Sequence, residues 1–216
     1  MRQMNRISVR AGGSARRHSA PLVVLVALLL AVTGVGTASA ASLVSDDFED
    51  GNAAGWVTTG GTWIVVREES RVLRQSSLAA GALARTGQPG WRDYTIAAEV
   101  RPDSFNGMPG FAGVVVRAQS TTTFYALVLR PNDTVALTRT VGGRSTTLAT
   151  KSVTVTEDRS YTLVLRAAGR NLTGSVDGVE LTASDGFIHT GPAGLVTTWT
   201  TASFDDVSVD TDAPAL

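Results

Sequence analysis

Residues 113–141 read GVVVRAQSTTTFYALVLRPNDTVALTRTV, and this stretch decides the class of fold. It contains three runs rich in β-branched, leucine and aromatic residues, at Gly113–Gln119, Thr123–Arg130 and Val135–Val141. Pro131-Asn132-Asp133 separates the second run from the third and supplies residues that favour a tight turn. Because the apolar residues do not recur at helical spacing, the stretch predicts consecutive antiparallel strands.

The same alternation of short apolar runs and turn residues continues on both sides, from Thr62 to Val209. Gly142-Gly143, Gly169-Arg170 and Asp177-Gly178 each lie between two such runs, so we predict a meander of antiparallel strands from Thr123 to Glu180. Further strands are predicted at Tyr94–Arg101, Tyr161–Ala167, Leu172–Val176 and Phe204–Val209, with weaker candidates at Thr62–Val66, Val72–Gln75, Thr146–Ala149 and Ala193–Thr198.

Alternation along a strand assigns its two faces. Tyr94, Ile96, Ala98 and Val100 share one face of their strand and are predicted to point into the core. The run Gly113–Val116 is apolar on both faces, as expected for a central strand that is covered on both sides. About a dozen strands are too many for one open sheet. The sequence therefore predicts an all-β fold, a two-sheet antiparallel β-sandwich of the jelly-roll type.

The first forty residues have the layout of a secretory signal peptide. A basic segment containing five arginines precedes the apolar run Pro21–Gly36, and Ala38-Ser39-Ala40 supplies small residues for cleavage. We predict a signal peptide at residues 1–40, a single domain at 41–216 with its core at 45–209, and secretion to the extracellular space. An uncleaved membrane anchor is the alternative.

Charge and cysteine content narrow the classes of partner. Five of the 19 Lys and Arg residues lie in the predicted signal and none of the 19 acidic residues does, so the remainder carries a formal charge of about −5. A net acidic protein is a poor match to nucleic acid or to an anionic membrane. The chain has no Cys, which excludes disulfides, thiol chemistry and cysteine metal sites. We expect a monomer.

Six segments together resemble a known group of folds, the concanavalin-A-like or laminin-G-like jelly rolls of secreted bacterial polysaccharide-degrading proteins. They are SDDFEDGNAAGW (45–56), GTWIVV (61–66), VLRQSS (72–77), WRDYTIAAEVRP (91–102), AGVVVRAQSTTTFYALVLR (112–130) and GLVTTWTTASFDDVSV (194–209). Modules of this type accompany pectate lyases and glycosidases. The resemblance implies a polysaccharide partner, but the fold also hosts lyases and hydrolases, so it leaves catalysis open.

Catalytic signatures of the group are missing. No Glu-x-Asp-x-x-Glu string, which would place three carboxylates on one face of a strand, occurs in the chain. A jelly-roll lyase would need Arg117, Tyr125 and His189, but His189 is the sole histidine after the signal and lies in a Gly/Pro-rich stretch. We predict no catalytic residues.

Sugar sites combine flat aromatic rings with a few side chains that form directional hydrogen bonds. The candidate sugar-binding residues are Trp63, Arg117, Tyr125 and Trp199, with Gln75 and Arg130 in support. Arg117 ends an apolar central strand and must reach solvent or a carboxylate, and Tyr125 begins the neighbouring strand. The alternative is that the aromatic rings fill the core.

Acidic segments mark both ends of the folded part, SDDFEDGN and SFDDVSVD. By resemblance, these ends meet through pairing of the first and last strands and hold a structural calcium ion. The predicted ligands are Glu49, the Gly51 carbonyl, Asn52 and Asp205, with Asp47 and Asp206 in reserve. Asp205 alternates with Val207 and Val209, so it is predicted to point inward and to need a cation. The alternative is a pair of charged edge strands.

The sequence thus predicts a secreted, non-catalytic, lectin-like carbohydrate-binding module that recognises a polysaccharide. One alternative is a small jelly-roll polysaccharide lyase or glycoside hydrolase that acts on pectin-like glycans. Another is a protein-interaction domain.

Overall fold

The structure is a computed structural model that describes residues 40–211. The predicted signal peptide, apart from Ala40, lies outside the described residues, as do the last five residues of the predicted domain. Residues 40–211 contain no helix with the length and apolar character of a membrane span.

The described residues form fifteen strands. Their bounds are β1 Ser42–Asp46, β2 Val57–Thr59, β3 Trp63–Arg67, β4 Arg71–Gln75, β5 Ala82–Thr86, β6 Tyr94–Phe105, β7 Phe111–Ser120, β8 Thr123–Arg130, β9 Thr134–Val141, β10 Arg144–Ser152, β11 Tyr161–Ala168, β12 Asn171–Val176, β13 Val179–Ser184, β14 Ala193–Thr198 and β15 Thr200–Thr211.

These strands make two antiparallel sheets. The eight-stranded sheet has the order β13-β12-β11-β6-β15-β4-β3, with β1 paired to β15, and the seven-stranded sheet has the order β10-β9-β8-β7-β14-β5-β2. The predicted all-β, two-sheet sandwich is confirmed.

The predicted single meander from Thr123 to Glu180 is wrong in one respect. The hairpins β8-β9-β10 belong to the seven-stranded sheet, whereas β11-β12-β13 belong to the eight-stranded sheet. The chain changes sheets in the segment 153–160, where the Tyr161 hydroxyl accepts a hydrogen bond from the Thr156 amide at 2.7 Å. Turn residues specify which neighbours pair, but they do not specify which layer a hairpin joins.

No bounds were predicted for four strands, β1, β2, β5 and β13, although the resemblance implied a first strand paired with the last. The strands β1 and β2 are short and largely exposed. The strand β5 reads ALART, a composition with little β propensity, and it forms because β14 and β2 pair with it on both sides.

The main core lies between the two sheets. Tyr94, Ile96, Ala98 and Val100 of β6 are all buried there, as predicted from alternation. Leu127 of β8 enters the same core from the other sheet.

A second buried apolar cluster lies on the opposite side of the seven-stranded sheet, which we call the outer face. It includes Leu83, Val115, Val128 and Val196, while Val114 of the same strand as Val115 packs in the main core. The prediction that Gly113–Val116 is a central strand covered on both faces is confirmed, since β7 is the fourth of seven strands and these valines are fully buried.

We expect Leu127→Ala to lower the free energy of unfolding by about 2–5 kcal/mol, because the substitution leaves a cavity in the main core. The control Leu43→Ala removes a leucine that is 36% exposed on β1 and is expected to change stability by about 0.5 kcal/mol or less. Urea unfolding of both variants measures the difference. Equal losses would contradict the assignment of the core.

Candidate functional site

Trp199 stands at the junction of β14 and β15 with its indole exposed. Its backbone has a positive φ of 47°, and its side chain keeps 38% of its surface in solvent. The Trp199 amide donates to the Ala79 carbonyl at 2.8 Å, and its carbonyl accepts from the Asn106 amide at 2.9 Å. The loops 76–81 and 106–110 therefore converge on Trp199. They also carry exposed apolar side chains, Leu78 and Met108, with exposures of 44% and 58%.

The buried side chain of Gln75 stabilises this junction through hydrogen bonds. The side chain is fully buried, and its Nε2 atom donates to the Ser77 carbonyl, the Thr197 hydroxyl and the Thr200 carbonyl at 2.7, 2.7 and 3.0 Å. Its Oε1 atom accepts from the Ser77 amide at 2.7 Å. Gln75 was predicted to bind a sugar, but its side-chain amide forms hydrogen bonds within the protein, to Thr197 before Trp199 and to Thr200 after it.

A cavity of about 450 Å³ opens on the outer face next to this junction. Its apolar lining includes Leu83, Phe111, Phe124 and Val196. Its hydroxyl-bearing lining consists of Thr121, Thr122, Thr140, Ser145 and Thr198. Thr198, the residue before Trp199, lines the cavity, whereas Trp199 itself is not part of the lining. Rings beside hydroxyl groups are what a sugar requires, since its C–H faces pack on apolar surface and its hydroxyls need partners.

Phe111 and Phe124 were missed by sequence reasoning. Alternation along β8 contained the signal, because Tyr125 and Leu127 point into the main core and Phe124 must then point to the outer face.

Arg130 lies on the outer face as the predicted sugar-binding role requires. It follows Val128 in the alternation of β8, and its Nη2 atom donates to the Thr147 hydroxyl at 3.3 Å. Burial lowers the pKa of the guanidinium.

Arg117 does not line the outer face, which corrects the prediction of a sugar ligand. It is 1% exposed, and its guanidinium donates to the Arg92, Gly169 and Ile188 carbonyls at 2.8, 2.9 and 3.0 Å. It also pairs with Asp93 at 3.1 Å, so it reaches a carboxylate rather than solvent. Arg117 thereby links three loops, which contain Arg92, Gly169 and Ile188, at the end of the sandwich opposite Trp199.

Tyr125 is also fully buried and cannot contact a sugar. Its hydroxyl donates to Asp185 Oδ1 at 2.5 Å and accepts from the amides of Phe187 and Ile188 at 3.1 and 3.0 Å. Burial and the hydrogen bond to Asp185 raise the pKa of Tyr125, which makes it a poor general base.

The three residues of the lyase alternative do lie at one end of the sandwich. Arg117 bonds the carbonyl of Ile188 and Tyr125 accepts from its amide, and His189 is the next residue. Only His189 is exposed, however, so no substrate could contact all three groups. This arrangement stabilises the loop after β13 and gives no support to proton abstraction.

Trp63 is partly buried and packs against the main core. Its ring centroid lies 5.8 Å from that of Phe204, and its Nε1 atom donates to the Gly60 carbonyl at 2.9 Å.

The two acidic ends meet, as predicted, because β1 pairs with β15. Most of the acidic side chains near β1 are already engaged by the protein. Asp46 accepts from the Phe48 amide and from Trp56 Nε1, at 2.9 and 2.7 Å. Asp47 accepts from the Glu49 amide at 3.1 Å and Glu49 from the Arg71 amide at 2.6 Å. Asn52 likewise accepts from the Ala54 amide at 2.8 Å, and the Gly51 amide donates to the Phe48 carbonyl at 2.9 Å.

Asp205 does not point inward, which corrects its predicted orientation. The pairing of β15 with β6 shifts between Asp205 and Ser208, and Asp206 has a positive φ of 48°. This bulge adds a residue to the alternation, so that Phe204 and Val207 both face the core. Asp205 instead accepts from the Ser70 hydroxyl at 2.5 Å. Burial, followed by the charges of Asp206 and Glu49, raises its pKa.

The predicted calcium ligands combine two carboxylates, those of Glu49 and Asp205, with the Asn52 amide and the Gly51 carbonyl. No group of three or more His, Cys, Asp or Glu side chains is positioned to hold a metal within residues 40–211. The side chains of Glu49, Asn52 and Asp205 already accept hydrogen bonds from the protein. These contacts are typical of charged, turn-forming ends, and the calcium site stays a prediction.

No family model matches the chain. An extracellular exo-α-L-arabinofuranosidase from Streptomyces chartreusis is 31% identical over 149 residues, which are 68% of this chain and 17% of that enzyme. The chain thus spans less than a fifth of the curated relative it matches.

Solved structures share the fold. The carbohydrate-binding module CBM66 from Bacillus subtilis superposes with a TM-score of 0.65 at 21% identity, over 74% of this chain and 98% of that module. The exoplasmic domain of VIP36, in a form bound to Ca²⁺ and Man3GlcNAc, superposes with a TM-score of 0.55 at 15% identity, over 73% of this chain and 83% of that one.

The Asp185 network makes stability depend on pH. Burial alone would raise the pKa of Asp185, but hydrogen bonds from Tyr125 and the Phe187 amide, with the charge of Arg139 2.5 Å away, lower it below 3.8. A lowered pKa stabilises the fold above the unfolded value and loses this contribution as pH falls through the folded value. We expect the difference in unfolding free energy between wild type and Asp185→Asn to shrink between pH 5 and pH 2.

The matched control is Asp158→Asn, which alters an exposed aspartate in a turn. Because Asp158 is exposed, its effect on stability at neutral pH should be smaller than that of Asp185→Asn. Urea unfolding at each pH provides the measurement, and a constant difference for Asp185→Asn would contradict the role of the ionised network.

Proposed function

We propose that the chain is a secreted, non-catalytic carbohydrate-binding module that holds a polysaccharide on the outer face of its seven-stranded sheet. The observation that carries the proposal is the cavity of about 450 Å³, lined by Phe111, Phe124 and hydroxyl side chains, with the exposed Trp199 following the lining residue Thr198 in the chain.

The chemistry of this surface suits a glycan. The indole of Trp199 offers a flat apolar ring to a C–H face, and hydroxyls such as Thr140 and Ser145 offer hydrogen bonds within the same cavity. Gln75 fixes the junction that carries Trp199, so little conformational freedom is lost there on binding. A preorganised platform of this kind favours recognition of an extended polymer at the rim.

The comparisons support a glycan partner and a non-catalytic role. CBM66 is a carbohydrate-binding module whose whole length this chain matches in fold. The chain also resembles a minor part of an exo-α-L-arabinofuranosidase, which favours an accessory binding region over a complete enzyme. We therefore propose arabinose-containing polysaccharides as the first ligands to test.

The extracellular location of that relative also supports the proposed secretion. The enzymatic alternative is disfavoured by the burial of Arg117 and Tyr125. We retain the expectation of a monomer.

We expect Trp199→Ala to weaken binding to arabinan or arabinoxylan by about tenfold, because it removes the exposed aromatic ring at the strand junction that the cavity residue Thr198 precedes. Affinity gel electrophoresis and calorimetry measure the change. The same incubations should release no reducing or unsaturated ends.

The matched control is Phe187→Ala, which removes an aromatic ring that is 61% exposed at the opposite end of the sandwich. Its binding should equal that of the wild type. Equal weakening by both substitutions would contradict the placement of the site, and product release would restore the enzymatic alternative.

Calcium requires a separate test, because VIP36 has been solved in a Ca²⁺-bound form. The contacts of Glu49, Asn52 and Asp205 lead us to expect that a chelator changes neither the thermal midpoint nor glycan binding. Differential scanning fluorimetry with EDTA, followed by added Ca²⁺, measures this. A drop of several degrees that Ca²⁺ reverses would establish a metal site and overturn our interpretation of the acidic ends.

A further inference from the structure

The two sheets differ sharply in charge. The strands of the seven-stranded sheet contain five Arg and one Lys and no Asp or Glu, whereas those of the eight-stranded sheet contain seven acidic residues. The protein after residue 40 is net acidic, so this sheet departs from the charge of the protein as a whole.

Two of these cations belong to the outer face. Leu83 of β5 and Val128 of β8 belong to the outer apolar cluster. Arg85 and Arg130 lie two residues further along these strands, so they point to the same face. Arg117 and Arg139 of the same sheet instead pair with carboxylates at the end of the sandwich.

Arg85 and Arg130 are half-buried and lack such partners. The Nε atom of Arg85 is shielded from solvent and has no hydrogen-bond acceptor. The guanidinium of Arg130 has one hydrogen bond, the 3.3 Å contact to Thr147. Neither residue forms a salt bridge with any carboxylate of residues 40–211. A polar atom that is shielded from water without a partner is costly, which makes Arg85 unusual.

The eight-stranded sheet shows how this protein treats a half-buried arginine elsewhere. Arg74 and Arg101 are each held between Glu68 and Asp103, with Arg101 at 2.6 Å from Glu68 and 2.9 Å from Asp103. Those two guanidinium groups are compensated internally. The two on the outer face have no carboxylate partner among residues 40–211, and an acidic ligand would supply one to each.

We infer that the outer face prefers acidic polysaccharides to neutral ones, and that carboxylates of their uronic acid residues pair with Arg85 and Arg130. This inference rests on the proposed function and specifies the ligand class for the same face. A guanidinium binds a carboxylate through two parallel hydrogen bonds, which suits a planar uronate group.

The spacing of the two arginines requires a polymer. Arg85 of β5 pairs with Gly194 of β14, which pairs with Val115 of β7, which in turn pairs with Ala126 of β8. Arg130 lies four residues beyond Ala126 along β8. Three strand spacings and four residues place their Cα atoms about 20 Å apart. A single sugar is too short to pair with both, whereas a chain crossing the cavity region can present one carboxylate to each.

The test compares polygalacturonate with its fully methyl-esterified form, which has the same backbone without the charge. We expect tighter binding of polygalacturonate and a loss of that advantage at high salt. Arg85→Gln and Arg130→Gln should each weaken binding of polygalacturonate by about tenfold or more and leave binding of the ester unchanged. The control Arg67→Gln removes an exposed cation of the eight-stranded sheet and should change neither. Thermal unfolding checks that each variant is folded.

The outcomes separate this inference from the proposed function. Equal affinity for the acidic and esterified polymers would overturn the inference while the proposed function survives. Tighter binding of dextran sulfate than of polygalacturonate would overturn the assignment to uronate. Failure to bind these polymers, arabinan and arabinoxylan would instead refute the proposed function.

Discussion

The structure depends on the burial of both faces of β7. Val114 and Val116 of this strand pack between the sheets, and Val115 packs in the cluster on the outer face. An apolar strand of this kind cannot face water on either side, so it must lie at the centre of a sheet that is itself covered. The neighbours of β7 extend the apolar outer face, and the cavity beside Trp199 is part of that same surface.

Buried polar side chains hold the loops of this sandwich in place through hydrogen bonds. Gln75, Tyr125 and Arg117 are each buried and each bond to two or more backbone groups, including those of at least one loop. Because a buried polar group is costly unless it is satisfied, these residues hold their loops in one arrangement. The two ends of the sandwich are thereby fixed by different residues, Gln75 at the end that carries Trp199 and Arg117 at the opposite end.

Sequence reasoning failed where it had to distinguish a buried polar side chain from an exposed one. Arg117, Tyr125 and Gln75 have the chemistry of sugar ligands, but their donors and acceptors are satisfied inside the protein. In the structure, Trp199 is exposed at a strand junction, and Arg130 lies on the outer face at the end of a strand. A residue at a junction or a strand end reaches the surface more readily than one inside a central strand. Asp205 was misplaced by a single bulge, since one added residue inverts the alternation.

The sequence by itself determined the local features: the all-β class, the hairpin turns and the inward faces of β6 and β7. These follow from side-chain periodicity and turn chemistry, which act over a few residues. Only the tertiary structure decided that β8-β9-β10 and β11-β12-β13 lie in different sheets, that Arg117 is paired with Asp93, and that Arg85 and Arg130 share a face without carboxylates. The physical reason is that partners for a buried charge come from distant parts of the chain, and no local pattern records which strands become neighbours.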